Sequence, residues 1–220
     1  MSTDLINCRV LDHESLPGAQ NMAVDAEMLE RAVNGGATVR TYQWSEPTVS
    51  LGHFQAKTLG NFPDRFSNLP VVERLSGGGA ILHDRELTYS LAIPKTHELT
   101  QNPSQIYNEI HDCVIDLLSS FGIVCQMRGN AAFAEKPFLC FGRGDERDIV
   151  IGTHKIVGSA QRRRQGAVLQ HGSILLKQSE YAPEFPGIED LTMIILPPDS
   201  LASQLRERII QKLNLQPLEE

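Results

Sequence analysis

The sequence lacks any C-x-x-C pair: its four cysteines, Cys8, Cys113, Cys125 and Cys140, stand at wide, irregular spacings. That pattern argues against a zinc knuckle or a disulfide frame and fits reduced thiols in a cytoplasm. Long apolar runs are missing too, all falling far below the ~20 residues that span a bilayer. Met1-Ser2-Thr3-Asp4 has neither the basic start nor the apolar stretch of a signal peptide, so no membrane partner is expected. Positive charge is in short supply, with 20 Lys and Arg against 27 Asp and Glu and a net charge of −7. A general nucleic-acid binder would show the opposite balance. Also absent are the Gly-Lys-Ser/Thr of a phosphate-binding loop and the G-x-G-x-x-G fingerprint, which disfavours an NTPase or a dehydrogenase.

The chain has 220 residues, 41% hydrophobic and 21% charged, enough to bury a real core in one compact domain. Residues 5–12 read as a strand. Met22, Ala26, Leu29 and Val33 then recur with helical spacing, ended by Gly35-Gly36. Thr38 to Trp44 and Thr48 to Leu51 read as strands on either side of the Glu46-Pro47 turn, and Glu86 to Ile93 as another. Pro103-Ser104 opens a helix with the face Ile106, Ile110, Val114, Leu117 and Phe121, which Gly122 ends. Ile123 to Met127 reads as a strand, followed by a loop through Pro137 to Gly144. Ile149 to Ile151, Lys155 to Gln161 and Ala167 to Leu176 read as successive antiparallel strands, and 199–213 as a last helix. Grouped strands with helices between the groups indicate an α+β domain with a mixed, largely antiparallel sheet flanked by helices.

The densest signal is Arg74-Leu75-Ser76-Gly77-Gly78-Gly79-Ala80-Ile81-Leu82-His83-Asp84, running into Glu86-Leu87-Thr88-Tyr89-Ser90. Three glycines in a row let backbone take φ > 0 and approach a ligand closely, and β-type sequence on both sides favours a site over a loose turn. In Lys155-Ile156-Val157-Gly158-Ser159-Ala160-Gln161, small residues behind the lysine suggest a partly buried ammonium aimed at a carbonyl or phosphate, rather than a solvated strand end. Gln170-His171-Gly172-Ser173 is a polar cluster inside an apolar strand; His171 fits a satisfied core histidine as well as a catalytic one. Cys140 lies in a loop with Gly142 and Gly144, the setting of a reactive thiol, while Cys8, Cys113 and Cys125 read as small core residues. Arg162-Arg163-Arg164 reads as a basic turn, either solvated or steering an acidic partner.

Together these segments resemble the lipoate–protein ligase and octanoyltransferase family, whose catalytic domain shares its class II synthetase-like fold with the biotin–protein ligases. The matching pieces, in family order, are Arg74 to Asp84, Glu86 to Ser90, Lys155 to Gln161 and Leu169-Gln170-His171-Gly172-Ser173, within about residues 5–195. The resemblance implies one catalytic domain over 1–220 without a C-terminal accessory domain. It implies an acyl tunnel lined by Arg74, Ser76, Gly77, Gly78, Gly79 and His83, with Gly158, Ser159, Ala160, His171 and Gly172 also on substrate. Lys155 would polarise the acyl carbonyl. Phe138-Leu139-Cys140-Phe141 looks like the nucleophile loop of one transferase branch; the place used by a second branch, Phe185-Pro186-Gly187, has no cysteine. Glu73 stands where the family often has a second arginine. Arg128-Gly129-Asn130-Ala131 lacks the acid of the ligases' Gly-Arg-Asn-Asp.

These resemblances imply transfer of an octanoyl group from a carrier-protein thioester to a lysine of a lipoyl domain through acyl-Cys140. The donor is an acyl carrier protein or an octanoylated lipoyl-type protein; the acceptor is a lipoyl domain or a glycine-cleavage H-type protein. No cofactor or metal is expected, and a monomer is the default. Thioester exchange is nearly isoenergetic, so ATP and Mg enter only under the competing reading, an ATP-dependent ligase acting through an adenylate. A non-catalytic lipoyl-domain or acyl-carrier binding protein is the alternative from another class.

Overall fold

The computed structural model describes residues 5–56, 62–130 and 138–218. In chain order the elements are β1 (Ile6–Leu16), α1 (Gly18–Val33), β2 (Ala37–Trp44), β3 (Thr48–Leu51), β4 (Val71–Glu73), β5 (Ile81–His83), β6 (Glu86–Ile93) and α2 (Pro103–Ser120). There follow β7 (Gln126–Met127), β8 (Ile149–Ile151), β9 (His154–Arg164), β10 (Ala167–Leu175), α3 (Ile188–Thr192), α4 (Pro198–Lys212) and β11 (Leu215–Pro217). The main sheet runs β11-β1-β2-β6-β10-β9-β8-β7, and a small one runs β4-β3-β5. β1 pairs in parallel with β2 and β11, and the other pairings of the main sheet are antiparallel. This is the mixed, largely antiparallel α+β architecture expected from the sequence.

Local chemistry explains the elements. Proline at the first position of α2 and of α4 costs no intrahelical bond there, and its fixed φ suits the first turn. β9 turns into β10 through Gln165 and Gly166, both at positive φ, which matches the twist of the flanking strands. Every residue of β6 is buried, because the sheet is covered on both sides. Leu87, Tyr89, Leu91 and Ile93 join a large core with α2 and α4, whereas Ala92 packs with Ala167, Leu169 and the Met28, Leu29 and Ala32 side of α1.

Four sequence expectations shift. The strand expected over 123–127 is only Gln126–Met127, so Cys125 precedes it. β1 continues four residues past position 12, to Leu16. Arg162, Arg163 and Arg164 are the end of β9, paired with Leu169, Val168 and Ala167, rather than a turn. The buried face of α1 is Asn21, Asp25, Met28, Leu29 and Ala32, while Ala26 is exposed. The helix is rotated because Asn21 and Asp25 satisfy the fully buried Arg40: its Nη2 donates to Asn21 Oδ1 at 2.6 Å and its Nη1 lies 3.8 Å from Asp25 Oδ1. A buried guanidinium demands such partners more strongly than a helix demands one more alanine.

Leu205 of α4 is fully buried in the large core. Leu205→Ala is expected to cost about 2–5 kcal/mol, read as a lowered denaturant midpoint with unchanged slope.

Candidate active site

The glycine segment joins β4 to β5, and its shape is imposed by Arg74. Arg74 is buried and donates from Nη2 to Gly77 O (2.8 Å) and Gly79 O (2.6 Å), and from Nη1 to Ser50 O (3.0 Å). Burial lowers its pKa to about 10, which leaves it cationic at neutral pH. Gly78 takes φ +100°, and a Cβ there would lie 3.0 Å from Arg74 Nη2 and 4.0 Å from Cys140 Sγ. The thiol therefore stands directly against the glycine segment. Two backbone bonds tie them: Ala80 N–H donates to Phe138 O (3.2 Å) and Cys140 N–H to Ala80 O (2.7 Å). Cys140 opens a single 3₁₀ turn, Cys140–Gly142; of the loop expected through Pro137 to Gly144, residues 131–137, including Ala131, lie outside the described residues.

Lys155, at the start of β9, is buried and paired with Asp148 at 2.8 Å. Its ammonium lies 5.2 Å from the Phe141 ring centroid. A Cβ on Gly158 would fall 2.5 Å from Lys155 Cε, so the small residue behind the lysine is the space that its side chain fills. Burial pushes the Asp148 carboxyl upward, opposed by Lys155. The Arg147 guanidinium holds Asp145 below its usual value.

Cys140, Lys155, Arg74, Gly77–Gly79 and Gly158–Ala160 line one cavity of about 330 Å³, together with Tyr107, His111 and Arg147. A narrower void of about 20 Å³ shares Arg74, Ile81 and 158–160 with it and extends between Met22, Trp44, His83, His171 and Gly172. The sequence-derived set thus divides in two, with His83, His171 and Gly172 beside the narrow void and Ser76 fully buried behind it. Gly172 makes room for the Tyr89 ring.

Neither histidine of that set offers a free lone pair. His83 is bonded to Ser50 Oγ (2.7 Å) and Glu86 Oε1 (2.7 Å), its ring stacked on Trp44, and burial lowers its pKa. His171 is bonded to Ser76 Oγ (2.5 Å) and Asp25 Oδ2 (3.1 Å). Of the two readings left open for His171, the satisfied buried histidine describes its contacts. Burial raises the other thiols, Cys8 to about 12 and Cys113 and Cys125 to about 11, so none is a ready nucleophile at neutral pH. Sequence reasoning missed Asp148, Tyr107, His111 and Arg147. The only signal for His111 was a histidine interrupting the apolar face of α2.

His111 joins α2 to the strand with the lysine: Nδ1–H donates to Arg147 O (2.5 Å) and Nε2 accepts from Ser159 Oγ (2.7 Å). Burial lowers its pKa to about 4. An unfolded histidine titrates near 6.5, so between about pH 6.5 and 4 the unfolded chain takes up a proton that the folded one refuses. Stability is lost as pH falls through that window. In urea melts at pH 7 and pH 4.5, His111→Asn is expected to show a smaller pH-dependent loss than the parent; equal losses would refute the assignment.

Comparisons with known proteins establish the family and the fold. The model of the lipoyl protein ligase A/B catalytic domain matches residues 17–195. An octanoyltransferase LipM from Carboxydothermus hydrogenoformans is 35% identical over 174 residues, covering 77% of this chain and 65% of that protein. One from Brevibacillus brevis is 34% identical over 180 residues, covering 76% and 65%. The chain thus spans just under two thirds of the length of these relatives. Among solved structures, a putative lipoate protein ligase from T. acidophilum with bound lipoic acid superposes with TM-score 0.75 at 18% identity, covering 98% of this chain and 89% of that one. Lipoate-protein ligase A bound with ATP gives 0.74 at 19%, with the same coverage. At such identities the superpositions establish a shared fold. With four-fifths of its length matched in sequence and the fold shared as well, the chain belongs to the lipoyl protein ligase A/B catalytic-domain family.

Proposed function

We propose that this chain is an octanoyltransferase, carrying an octanoyl group from a carrier-protein thioester to a lysine of a lipoyl domain through acyl-Cys140. The observation that carries the reading is the Cys140 thiol in one cavity with Lys155 and the glycine segment. The names of the relatives support the same activity. Cys140 gives up its thiol proton, thiolate Sγ attacks the thioester carbonyl, the donor's C–S bond breaks, and the departing donor sulfur takes up that proton to leave as a free thiol. Because one thioester replaces another, the step needs no ATP or metal. Lys155 supplies positive charge to the thiolate and to the developing oxyanion. In the second step the acceptor amine attacks the acyl carbon, a C–N bond replaces the C–S bond, and the amine's proton returns to Sγ. With both ring nitrogens engaged, His83 is not the base for that step.

The donor is an acyl carrier protein or an octanoylated lipoyl-type protein; the acceptor is a lipoyl domain or a glycine-cleavage H-type protein. Residues 1–220 act as one catalytic domain, in the cytoplasm and as a monomer. Among the described residues no helix is long and apolar enough to cross a membrane.

The test is incubation with octanoyl-carrier protein without ATP, followed by intact-mass measurement. The parent is expected to gain a hydroxylamine-labile octanoyl adduct, Cys140→Ala none, and Lys155→Ala an adduct formed ~10²-fold more slowly. Transfer that survives in Cys140→Ala and requires ATP with free octanoate would establish the ligase instead. Absence of turnover under both conditions would leave a binding protein.

A further inference from the structure

Arg74 holds the carbonyls of Gly77 and Gly79 with one nitrogen. The chain has no cis peptide among the described residues, and across a trans peptide the N–H points opposite to its C=O. The amides of Gly78 and Ala80, which share those two peptide groups, are therefore turned away from the guanidinium. The Ala80 N–H is engaged, donating to Phe138 O in the segment that carries the thiol. Among the described residues the Gly78 amide has no acceptor, and Gly78 lines the cavity at a point where a Cβ on it would lie 4.0 Å from Cys140 Sγ. An unengaged N–H, on a residue that lines the cavity of the thiol and in a peptide group whose carbonyl the guanidinium holds, is the kind of donor that a tetrahedral oxyanion requires.

The guanidinium is itself held in place. Arg74 Nη1 donates to Ser50 Oγ (3.2 Å), Ser50 Oγ–H to His83 Nε2, and His83 Nδ1–H to Glu86 Oε1. The direction is fixed at both ends, since arginine can only donate and Glu86 Oε1 also accepts from Thr88 Oγ1 (2.6 Å) and Ser173 Oγ (3.0 Å). Every member of the chain is buried.

We propose that Arg74 is a backbone clamp presenting the Gly78 amide as the oxyanion donor to acyl chemistry at Cys140, and that Ser50, His83 and Glu86 are positioning residues that hold the clamp. The proposal rests on the acyl-thioester reading above. It gives Arg74, Ser50, His83 and Glu86 a part in the reaction that acts through the Gly78 amide.

The experiment compares two reactions of the same thiol in the full chain. Acylation by the small thioester octanoyl-N-acetylcysteamine passes through an oxyanion; alkylation by iodoacetamide does not. Arg74→Lys keeps the charge near the thiol but cannot span both carbonyls and Ser50. It is expected to slow acylation ~10²-fold, with KM little changed and alkylation of Cys140 unaltered. Ser50→Ala, a smaller change in case Arg74→Lys does not fold, is expected to slow acylation ~10-fold with the same split, as a small misplacement of the donor would. Parallel loss of both rates, or an unchanged acylation rate in folded Ser50→Ala, would overturn the clamp. A parent alkylated at Cys140 but never acylated would overturn the acyl-thioester reading, and the clamp with it.

Discussion

The ion pair between Lys155 and Asp148 is the constraint around which the cavity is built. Both side chains are about 5% exposed, and taking two charges out of water costs several kcal/mol unless geometry and extra hydrogen bonds compensate. The compensation is local. Asp148 Oδ2 accepts from the Asp145 amide at 2.8 Å, Asp148 O accepts from the Arg128 amide at 2.8 Å, and Gly158 leaves the volume that the lysine fills. Turn, strand start and glycine thus answer to one charge. A lysine held in this way keeps its ammonium beside Phe141, in the cavity that Cys140 also lines, at no further cost in side-chain freedom.

Behind the glycine segment lie two buried Ser–His–carboxylate chains, Ser50–His83–Glu86 and Ser76–His171–Asp25. Each resembles a catalytic triad in composition, yet each serine is fully buried and bonded onward, so neither presents a nucleophile. Their effect is rigidity. One reaches the glycine segment through Arg74 and the other through Ser76, on strands and a helix that are distant in sequence. In a low-dielectric interior such chains hold geometry well when every member has a partner.

The sequence was most legible where function concentrates unusual residues. Arg74, Gly77–Gly79, Lys155 and Gly158–Ala160 were recognisable from their order and meet in one cavity, as does Cys140. The sheet was legible from alternation and turn residues, down to the β9–β10 hairpin. Less legible was anything that depended on a partner far along the chain. Asp148 looks like an ordinary surface acid until Lys155 is opposite it, and α1 looks rotated until Arg40 is known to need Asn21 and Asp25. The resemblance places His83 and His171 on substrate, and nothing local in the chain reveals that Glu86 and Asp25 bond their ring nitrogens.

The short parallel bridge between Ala80 and Leu139 has a mechanical consequence. Hydrogen bonds on both sides of Ala80 fasten the 3₁₀ turn of the thiol to the strand end that leaves the glycine segment. Separating the nucleophile from the glycines would break two backbone hydrogen bonds, so their spacing is held by the fold itself. Lys155 stands outside this tie and is anchored on Asp148 instead. A load on the 3₁₀ turn would therefore pass into the strand end behind the glycine segment rather than open the gap between thiol and glycines.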